Sequence, residues 1–121
     1  MKKINSANAP AAIGPYSQAI EANGFVYVSG QLPIVNGELK TDVAEATHAS
    51  LGNIQHILAE AGLTMKDVVK VEIFLADMND FAIVNEVYAQ YFAEPFPARA
   101  CVQVARLPKD ACVEIQCIAV K

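Results

Sequence analysis

The sequence is poor in the residues that build disulfide-linked or metal-binding domains. It has three cysteines, Cys101, Cys112 and Cys117, which is an odd number, and they form no CxxC pair with matching histidine ligands. Small secreted domains are usually cross-linked by an even set of cysteines, whereas cytoplasmic thiols stay reduced. We therefore expect free thiols, no bound metal and a cytoplasmic location.

The chain also lacks long apolar runs and an excess of positive charge. No apolar run approaches the ~20 residues that span a bilayer, and residues 1–6 lack the apolar core of a signal peptide. Nine basic and thirteen acidic residues give a net charge of −4, and no basic stripe that could contact phosphates is visible. We expect no signal peptide, no membrane association and no nucleic-acid partner.

Apolar residues, in contrast, are abundant. The 121 residues suit one domain, residues 1–121, with a single modest core. Counted with glycine in place of tyrosine, the apolar share is about 55%, against ~45–50% in average domains. This excess excludes a disordered linker and indicates apolar surface that is buried against other copies of the chain.

The N-terminal third of the sequence alternates strand patterns with turn signals. Residues 2–5 suit a short edge strand. Residues 16–22 suit a strand that pairs with residues 25–29 across Asn23-Gly24, the strongest short-range hairpin signal. Residues 30–33 are expected to break the second of these strands.

A second turn at residues 36–37 precedes the best-marked helix. Asp42 and Glu45 predict its N-terminal cap, apolar residues then recur at helical spacing, and Gly62 suits a left-handed C-terminal cap. Residues 67–76 follow and alternate as a strand does. A second helix is predicted from Asn79 through Phe92, and Pro95 ends it.

Two alternating segments near the C-terminus, residues 96–105 and 112–120, flank the turn-rich residues 107–110 and predict a β-hairpin. Antiparallel pairing with strand alternation then places one arginine, one carboxylate, two amides and one thiol on a single face of the sheet. These side chains are Arg99, Cys101, Gln103, Glu114 and Gln116.

The resulting order, ββ-α-β-α-ββ with an extra N-terminal strand, is typical of an α+β fold in which two helices cover one face of the sheet. The other face mixes polar residues with Val68, Phe74, Ala105 and Ile118. A solvated face would be more polar than this. We expect this face to pack against neighbouring subunits in a closed homo-oligomer.

Arg99 and Glu114 are the residues of this chain best suited to chemistry on a small acid. Arg99 could be a structural arginine, paired with Glu114 or with a carboxylate of a partner chain. Alternatively, its fork-shaped guanidinium could hold a ligand carboxylate through two hydrogen bonds. Glu114 could be its ion-pair partner or could orient and deprotonate a water molecule.

Four other residues have both a structural and a functional interpretation. Cys101 suits the edge of the core better than the role of nucleophile, because no histidine stands near it in sequence to activate it. Ser29 and Gly30 suit either a plain turn or a site where backbone N–H groups are free. Tyr16 suits either ordinary packing or the mouth of a site.

Six segments, taken together and in this order, form a specific pattern. They are residues 9–18 (APAAIGPYSQ), 29–33 (SGQLP), 80–88 (DFAIVNEVY), 97–102 (PARACV), 104–110 (VARLPKD) and 113–115 (VEI). Over nearly its whole length the chain resembles the Rid family of reactive intermediate deaminases, formerly called the YjgF family.

The resemblance implies a chorismate-mutase-like α+β fold with a mixed, mostly antiparallel sheet. It implies a homotrimer in which the sheets pack inward and leave three clefts between subunits. The implied reaction is hydrolysis of reactive enamine and imine acids, namely 2-aminoacrylate with its tautomer 2-iminopropanoate, and 2-iminobutanoate, to 2-keto acids and ammonia. Pyridoxal-phosphate dehydratases release these imines, so the protein would act downstream of them. The family itself needs neither metal nor cofactor.

The resemblance also implies roles for individual residues. Arg99 would hold the substrate carboxylate and Glu114 would position the attacking water. Six residues would line the cleft: Tyr16, Ser29, Gly30, Phe81, Asn85 and Cys101. Members of this subtype often carry acids where this chain has Gln103 and Gln116, so we expect a less negative cleft here.

Two further functions compete with the deaminase. A non-enzymatic regulatory module that binds 2-keto acids or similar carboxylates and acts on a partner protein would need Arg99 alone. An RNA-directed nuclease or translation inhibitor is disfavoured by the acidic balance and the lack of a basic stripe.

Overall fold

The computed structural model describes residues 1–121, which form an α+β fold with eight strands and two helices. In chain order these are β1 (Lys2–Ile4), β2 (Ala19–Ala22), β3 (Phe25–Gln31), β4 (Ile34–Val35), β5 (Glu38–Leu39), α1 (Val43–Glu60), β6 (Val68–Leu75), α2 (Phe81–Tyr88), β7 (Ala98–Gln103) and β8 (Val113–Val120). Six strands form the main sheet in the order β1-β2-β3-β8-β6-β7, and β4 pairs with β5 separately. Only β6 and β7 run parallel, so the predicted mixed, mostly antiparallel sheet is confirmed.

The two predicted Asn-Gly turns are confirmed by their backbone angles. Asn23 and Gly24 have φ values of 53° and 80°, and Asn36 and Gly37 have 52° and 78°. Positive φ at both central residues is the mark of the tight turn whose twist matches that of paired strands. These turns join β2 to β3 and β4 to β5.

Helix α1 begins and ends where the sequence indicates. The Asp42 side chain accepts a hydrogen bond from the backbone N–H of Glu45 at 3.1 Å. At the other end Gly62 has a φ of 75°, and the N–H of Leu63 donates to the Leu58 carbonyl. The buried face of the helix, which includes Leu51, Ile54 and Leu58, packs on the sheet and covers β3 and β8.

Two predicted boundaries and the predicted face of one residue are wrong. Helix α2 ends at Tyr88, and residues 89–91 form turns instead of a further helical stretch. Strand β3 continues through Gln31, because a bulge between Val28 and Gln31 absorbs the glycine that was expected to break it. A second register shift, between Val68 and Lys70, turns Val68 into the core.

The predicted C-terminal hairpin is wrong. Strand β6 lies between β7 and β8, pairing parallel with β7 and antiparallel with β8. Residues 76–97 contain α2, and a helical crossover of this kind joins parallel neighbours. The segment after β7 therefore passes the end of β6 to reach β8, and its 3₁₀ turn, Pro108–Asp110, is part of a longer connection.

This topology changes which side chains share a face. Arg99 is in register with Val71, and Cys101 with Ile73, so both point to the helix-covered side of the sheet. Glu114 alternates with the buried residues Val113 and Ile115 and therefore points to the opposite side. The expectation that Arg99, Cys101, Gln103, Glu114 and Gln116 share one face is wrong, because the first three are on one side and the last two are on the other.

We call the side of the sheet that no helix covers the distal face. Phe25, Tyr27 and Val102 are exposed there, and Phe74 and Ile118 are half-buried. Of the other two apolar residues expected on this face, Val68 is in the core, and Ala105 lies beyond the end of β7. The closed homo-oligomer remains a prediction, and the apolar distal face is the surface that it requires. Neither helix combines the length and the apolar character of a membrane-crossing segment.

Candidate active site

Arg99 lies at the edge strand β7 and is held by side chains of α2. Its Nη1 donates to Oδ1 of Asn85 at 2.7 Å. The guanidinium carbon lies 4.7 Å from the ring centroid of Tyr88 and 5.6 Å from that of Phe81, distances at which a cation is attracted to an aromatic face. We call Phe81, Asn85, Tyr88 and Arg99, together with Cys101, the Arg99 cluster.

The spacing of α2 explains why its three side chains meet the same guanidinium. Phe81, Asn85 and Tyr88 stand at positions i, i+4 and i+7, which lie one above the other on a single helical face. Helix α2 is the crossover between β6 and β7, and the Arg99 side chain of the edge strand reaches this helical face.

The charge of Arg99 has no carboxylate partner within the chain. The three ion pairs of the structure join Lys40 to Glu38, Arg106 to Asp110, and Lys121 to Glu21. Arg99 is exposed, and the only one of its N–H donors that is hydrogen-bonded within the chain is on Nη1, which donates to Asn85. A guanidinium fixed on one side and open on the other can still donate two parallel hydrogen bonds to a carboxylate.

Cys101 is two residues further along β7, on the same side as Arg99. It is half-buried and packs against the core. Burial raises the pKa of its thiol, and the Arg99 guanidinium partly opposes that rise. A thiol with a raised pKa stays protonated, so Cys101 suits the wall of a site better than a nucleophile.

Glu114 is the centre of a second group of residues, on the distal face. A Cβ at residue 30 would stand 2.5 Å from Oε1 of Glu114, so the carboxylate lies directly on Gly30. The β3 bulge makes this approach possible, because Ser29 and Gly30 have no Cα partner on β8. Partial burial raises the pKa of Glu114 above its usual 4.5, because desolvation disfavours the charged form.

Ser29 is the chain neighbour of Gly30 and is bonded to the loop that precedes β2. The Ser29 hydroxyl donates to the Ser17 carbonyl at 2.6 Å, which fixes that loop beside the bulge. Tyr16, the next residue back, is 55% exposed. We call Tyr16, Ser29, Gly30 and Glu114 the Glu114 cluster.

The predicted site residues thus form two groups that do not meet within one chain. Arg99 is on β7 and Glu114 is on β8, with β6 between them, so their strands are about 10 Å apart. Their side chains also leave opposite faces of the sheet. A small substrate cannot contact both groups in a single copy of the chain.

The two glutamines noted in the sequence are also separated. The Gln103 side chain accepts a hydrogen bond from the backbone N–H of Met78 at 2.7 Å, at the entry to α2. Gln116 donates to Glu72 at 3.1 Å on the distal face. No three His, Cys, Asp or Glu side chains are grouped closely enough to ligate a metal.

Tyr88 is the one member of the Arg99 cluster that the sequence did not single out. Its helical spacing from Phe81 and Asn85 was visible, but an aromatic residue at an apolar position is normally assigned to the core. Tyr88 is in the core, with 5% of its surface exposed, and its ring also contacts the guanidinium.

Comparison with known proteins agrees with the pattern of motifs and with the fold. A family model described as endoribonuclease L-PSP matches residues 6–121. A RutC family protein of Pyrococcus horikoshii is 53% identical, with 98% of this chain and 96% of the relative covered. A 2-iminobutanoate/2-iminopropanoate deaminase of Escherichia coli is 48% identical, with 99% and 98% covered.

Solved structures give the same result. The crystal structure of Escherichia coli TdcF with bound serine matches with a TM-score of 0.95 at 46% identity, and 100% of this chain and 99% of that chain are covered. The YjgF gene product of Escherichia coli matches with a TM-score of 0.95 at 47% identity, with 100% and 99% covered. The chain therefore belongs to the endoribonuclease L-PSP family, which is the YjgF or Rid family that its motifs resemble.

Proposed function

We propose that the protein is a deaminase that hydrolyses 2-iminobutanoate and 2-iminopropanoate, with its enamine tautomer 2-aminoacrylate, to 2-keto acids and ammonia. The observation that carries this proposal is the exposed Arg99 guanidinium, which is held by Asn85 and two aromatic rings and lacks a carboxylate partner. A relative at 48% identity is named for this activity. Dehydratases that use pyridoxal phosphate would supply the imines.

Arg99 anchors the substrate by its carboxylate. The planar guanidinium matches a carboxylate through two parallel N–H···O bonds, and each charge-assisted bond contributes roughly 1.5–3 kcal/mol. Anchoring fixes the position of the adjacent C=N carbon. Because an imine is already electrophilic, orientation relative to one water molecule provides much of the acceleration.

Glu114 acts on the water. Its carboxylate accepts a proton as the water oxygen bonds to the imine carbon, and this proton passes to the nitrogen to give a carbinolamine. The carboxylate then carries the hydroxyl proton to the amine nitrogen, and ammonia leaves as the C=O bond forms and the C–N bond breaks. General acid–base help of this kind contributes about 10²–10⁴-fold. Burial moves the pKa of Glu114 upwards, towards neutral pH. A carboxyl group exchanges protons with the substrate most effectively when its pKa is near the working pH.

Arg99 and Glu114 are proposed to meet across an interface between copies of the chain. They lie on opposite faces of the sheet in one copy, so one subunit supplies the Arg99 cluster and its neighbour supplies the Glu114 cluster. A head-to-tail contact of this kind forms a ring when the rotation closes. The homotrimer with inward-facing sheets meets this requirement, and burial of the apolar distal face stabilises it.

The non-enzymatic alternative is a carboxylate-binding regulatory module that acts on a partner protein. It requires Arg99 but assigns no task to Glu114, whose pKa is raised by burial and which makes no ion pair in this chain. A nuclease, although the family is described as endoribonuclease L-PSP, is disfavoured by the net charge of −4.

The test generates 2-iminobutanoate in situ from threonine with a dehydratase and follows formation of 2-oxobutanoate. The protein should accelerate this step. Arg99→Ala should reduce the acceleration at least about tenfold, because it deletes hydrogen bonds of ~1.5–3 kcal/mol each. The matched control is Arg106→Ala, which removes another exposed arginine, paired only with Asp110, and should change nothing.

Glu114→Ala separates the two functions. A deaminase should lose turnover and keep most of its affinity for 2-oxobutanoate, whereas a pure binding module has no turnover to lose. Absence of acceleration by the unmodified protein would reject the deaminase and favour the binding module.

A further inference from the structure

We propose that Tyr88 is a positioning residue that holds Arg99 in the orientation needed to bind the substrate carboxylate. The proposal rests on the proposed function, because it gives Tyr88 a task only if Arg99 is the carboxylate anchor. No contact between Tyr88 and the substrate is required.

The guanidinium is closer to Tyr88 than to the other ring. Its central carbon is 4.7 Å from the Tyr88 centroid and 5.6 Å from that of Phe81. Cation–π attraction is worth more when the ring is desolvated, and Tyr88 is 5% exposed while Phe81 is only half-buried. Tyr88 is therefore the firmer of the two supports.

The surroundings of Tyr88 make it rigid. Its ring packs against Phe92 with centroids 4.5 Å apart, and it belongs to the buried core between α2 and the sheet. Arginine has a flexible side chain that loses considerable rotamer freedom when it binds a ligand. A fixed aromatic surface beneath the guanidinium removes part of that freedom in advance, so less affinity is lost on binding.

The Tyr88 hydroxyl takes no part in this role. It is fully buried and has no hydrogen-bond partner. The only hydrogen bond recorded for the guanidinium goes to Asn85. The ring is therefore the functional part of the side chain, and a phenylalanine at residue 88 should serve equally well.

The experiment measures the dissociation constant of 2-oxobutanoate by calorimetry, together with kcat and KM in the dehydratase-coupled assay. Tyr88→Phe should bind within about twofold of the native protein. Phenylalanines with increasing numbers of ring fluorines, incorporated at residue 88, keep the shape but weaken the attraction of the ring for a cation. Their Kd should rise stepwise, to roughly 2- to 30-fold at full fluorination, with a similar rise in KM and little change in kcat.

A double-variant comparison separates positioning from a general structural role. Tyr88→Leu should raise Kd in the native background and have no further effect when Arg99→Ala is already present, because the group it supports is gone. Tyr91→Leu is the matched control, since Tyr91 packs on the same core near His48 without contacting Arg99. It should leave Kd unchanged.

The possible results separate the role of Tyr88 from the role of Arg99. A flat Kd across the fluorinated series, with Arg99→Ala still weakening binding, would overturn the role of Tyr88 and leave the proposed function intact. If Arg99→Ala itself left the affinity for 2-oxobutanoate unchanged, Arg99 would not be the anchor, and both would fail. The fluorinated variants are nearly isosteric with phenylalanine, so the test holds even if Tyr88→Leu does not fold.

Discussion

The surroundings of Glu114 are unfavourable for a carboxylate that has only a structural role. Its carboxylate is half-buried on the distal face and lies against Gly30. A residue larger than glycine at position 30 would clash with it. Burial raises its pKa, which means that the folded state opposes its ionisation. Above that pKa the ionised carboxylate therefore reduces the stability of the fold, a cost that proteins commonly accept at functional sites.

The pH dependence of activity follows from the direction of this shift. A general base must be ionised, so kcat/KM should fall as the pH decreases through the raised pKa of Glu114, at a pH above the 4.5 that is usual for this group. Glu114→Gln should lose about 10²–10⁴-fold in rate together with this acid limb. The measurement is the pH profile of the coupled assay, corrected for spontaneous hydrolysis.

Glu72→Gln is the control for that profile. Glu72 lies on the same face in the neighbouring strand and bonds to Gln116, so its replacement should leave the acid limb in place. A Glu114→Gln variant that kept both its rate and its acid limb would show that another group activates the water.

At the scale of single elements, the helix ends and turns predicted from the sequence are correct where one local signal determines the structure. Asp42 and Gly62 define α1 because a helix end must satisfy its own backbone groups. The Asn-Gly turns define two hairpins because few residues adopt their positive φ. Pairing between distant strands has no such local signal, and the β7–β8 hairpin was wrong for that reason.

The crossover through α2 has a direct consequence for the site. It places β7 parallel to β6 at the sheet edge and so presents Arg99 to the helix. The identities of both site groups could be predicted from motifs, but their separation onto two faces could not, because it depends on which strand lies between β7 and β8. Tyr88 was missed because core packing alone already explains its position.

The loop before β2 is held by one buried amide. Gln18 accepts a hydrogen bond from the Ser6 backbone N–H at 2.7 Å and donates to the carbonyls of Ser6 and Pro10 at 3.1 and 2.9 Å. Both Gln18 and Ser6 are 2% exposed, so water cannot replace these bonds. The loop that carries Tyr16 and Ser17 to the β3 bulge therefore depends on this side chain.

Gln18→Ala should release that loop. Leaving buried backbone groups unpaired costs about 1–3 kcal/mol, so hydrogen exchange at the Ser6 amide should accelerate and the stability to urea should fall. Gln55→Ala, at an exposed position of α1, should change stability by less than ~0.5 kcal/mol. Unchanged protection of the Ser6 amide would mean that the loop is held by other contacts.

For the whole molecule, the distal face and the divided site point to the same arrangement. Part of the apolar excess visible in the composition is located on this face, where Phe25, Tyr27 and Val102 are exposed. Packing these residues against a neighbour would also bring foreign side chains to Glu114. A single chain has half of the proposed site on each side of its sheet, so activity should require assembly.

Mixing two inactive variants tests this requirement directly. In a ring where every site takes Arg99 from one subunit and Glu114 from the next, random assembly of equal amounts of Arg99→Ala and Glu114→Gln chains leaves about a quarter of the sites with both native residues. Joint refolding should therefore restore about a quarter of the native rate, while each variant refolded alone stays inactive. If the refolded mixture were no more active than the separate variants, Arg99 and Glu114 would not meet across an interface.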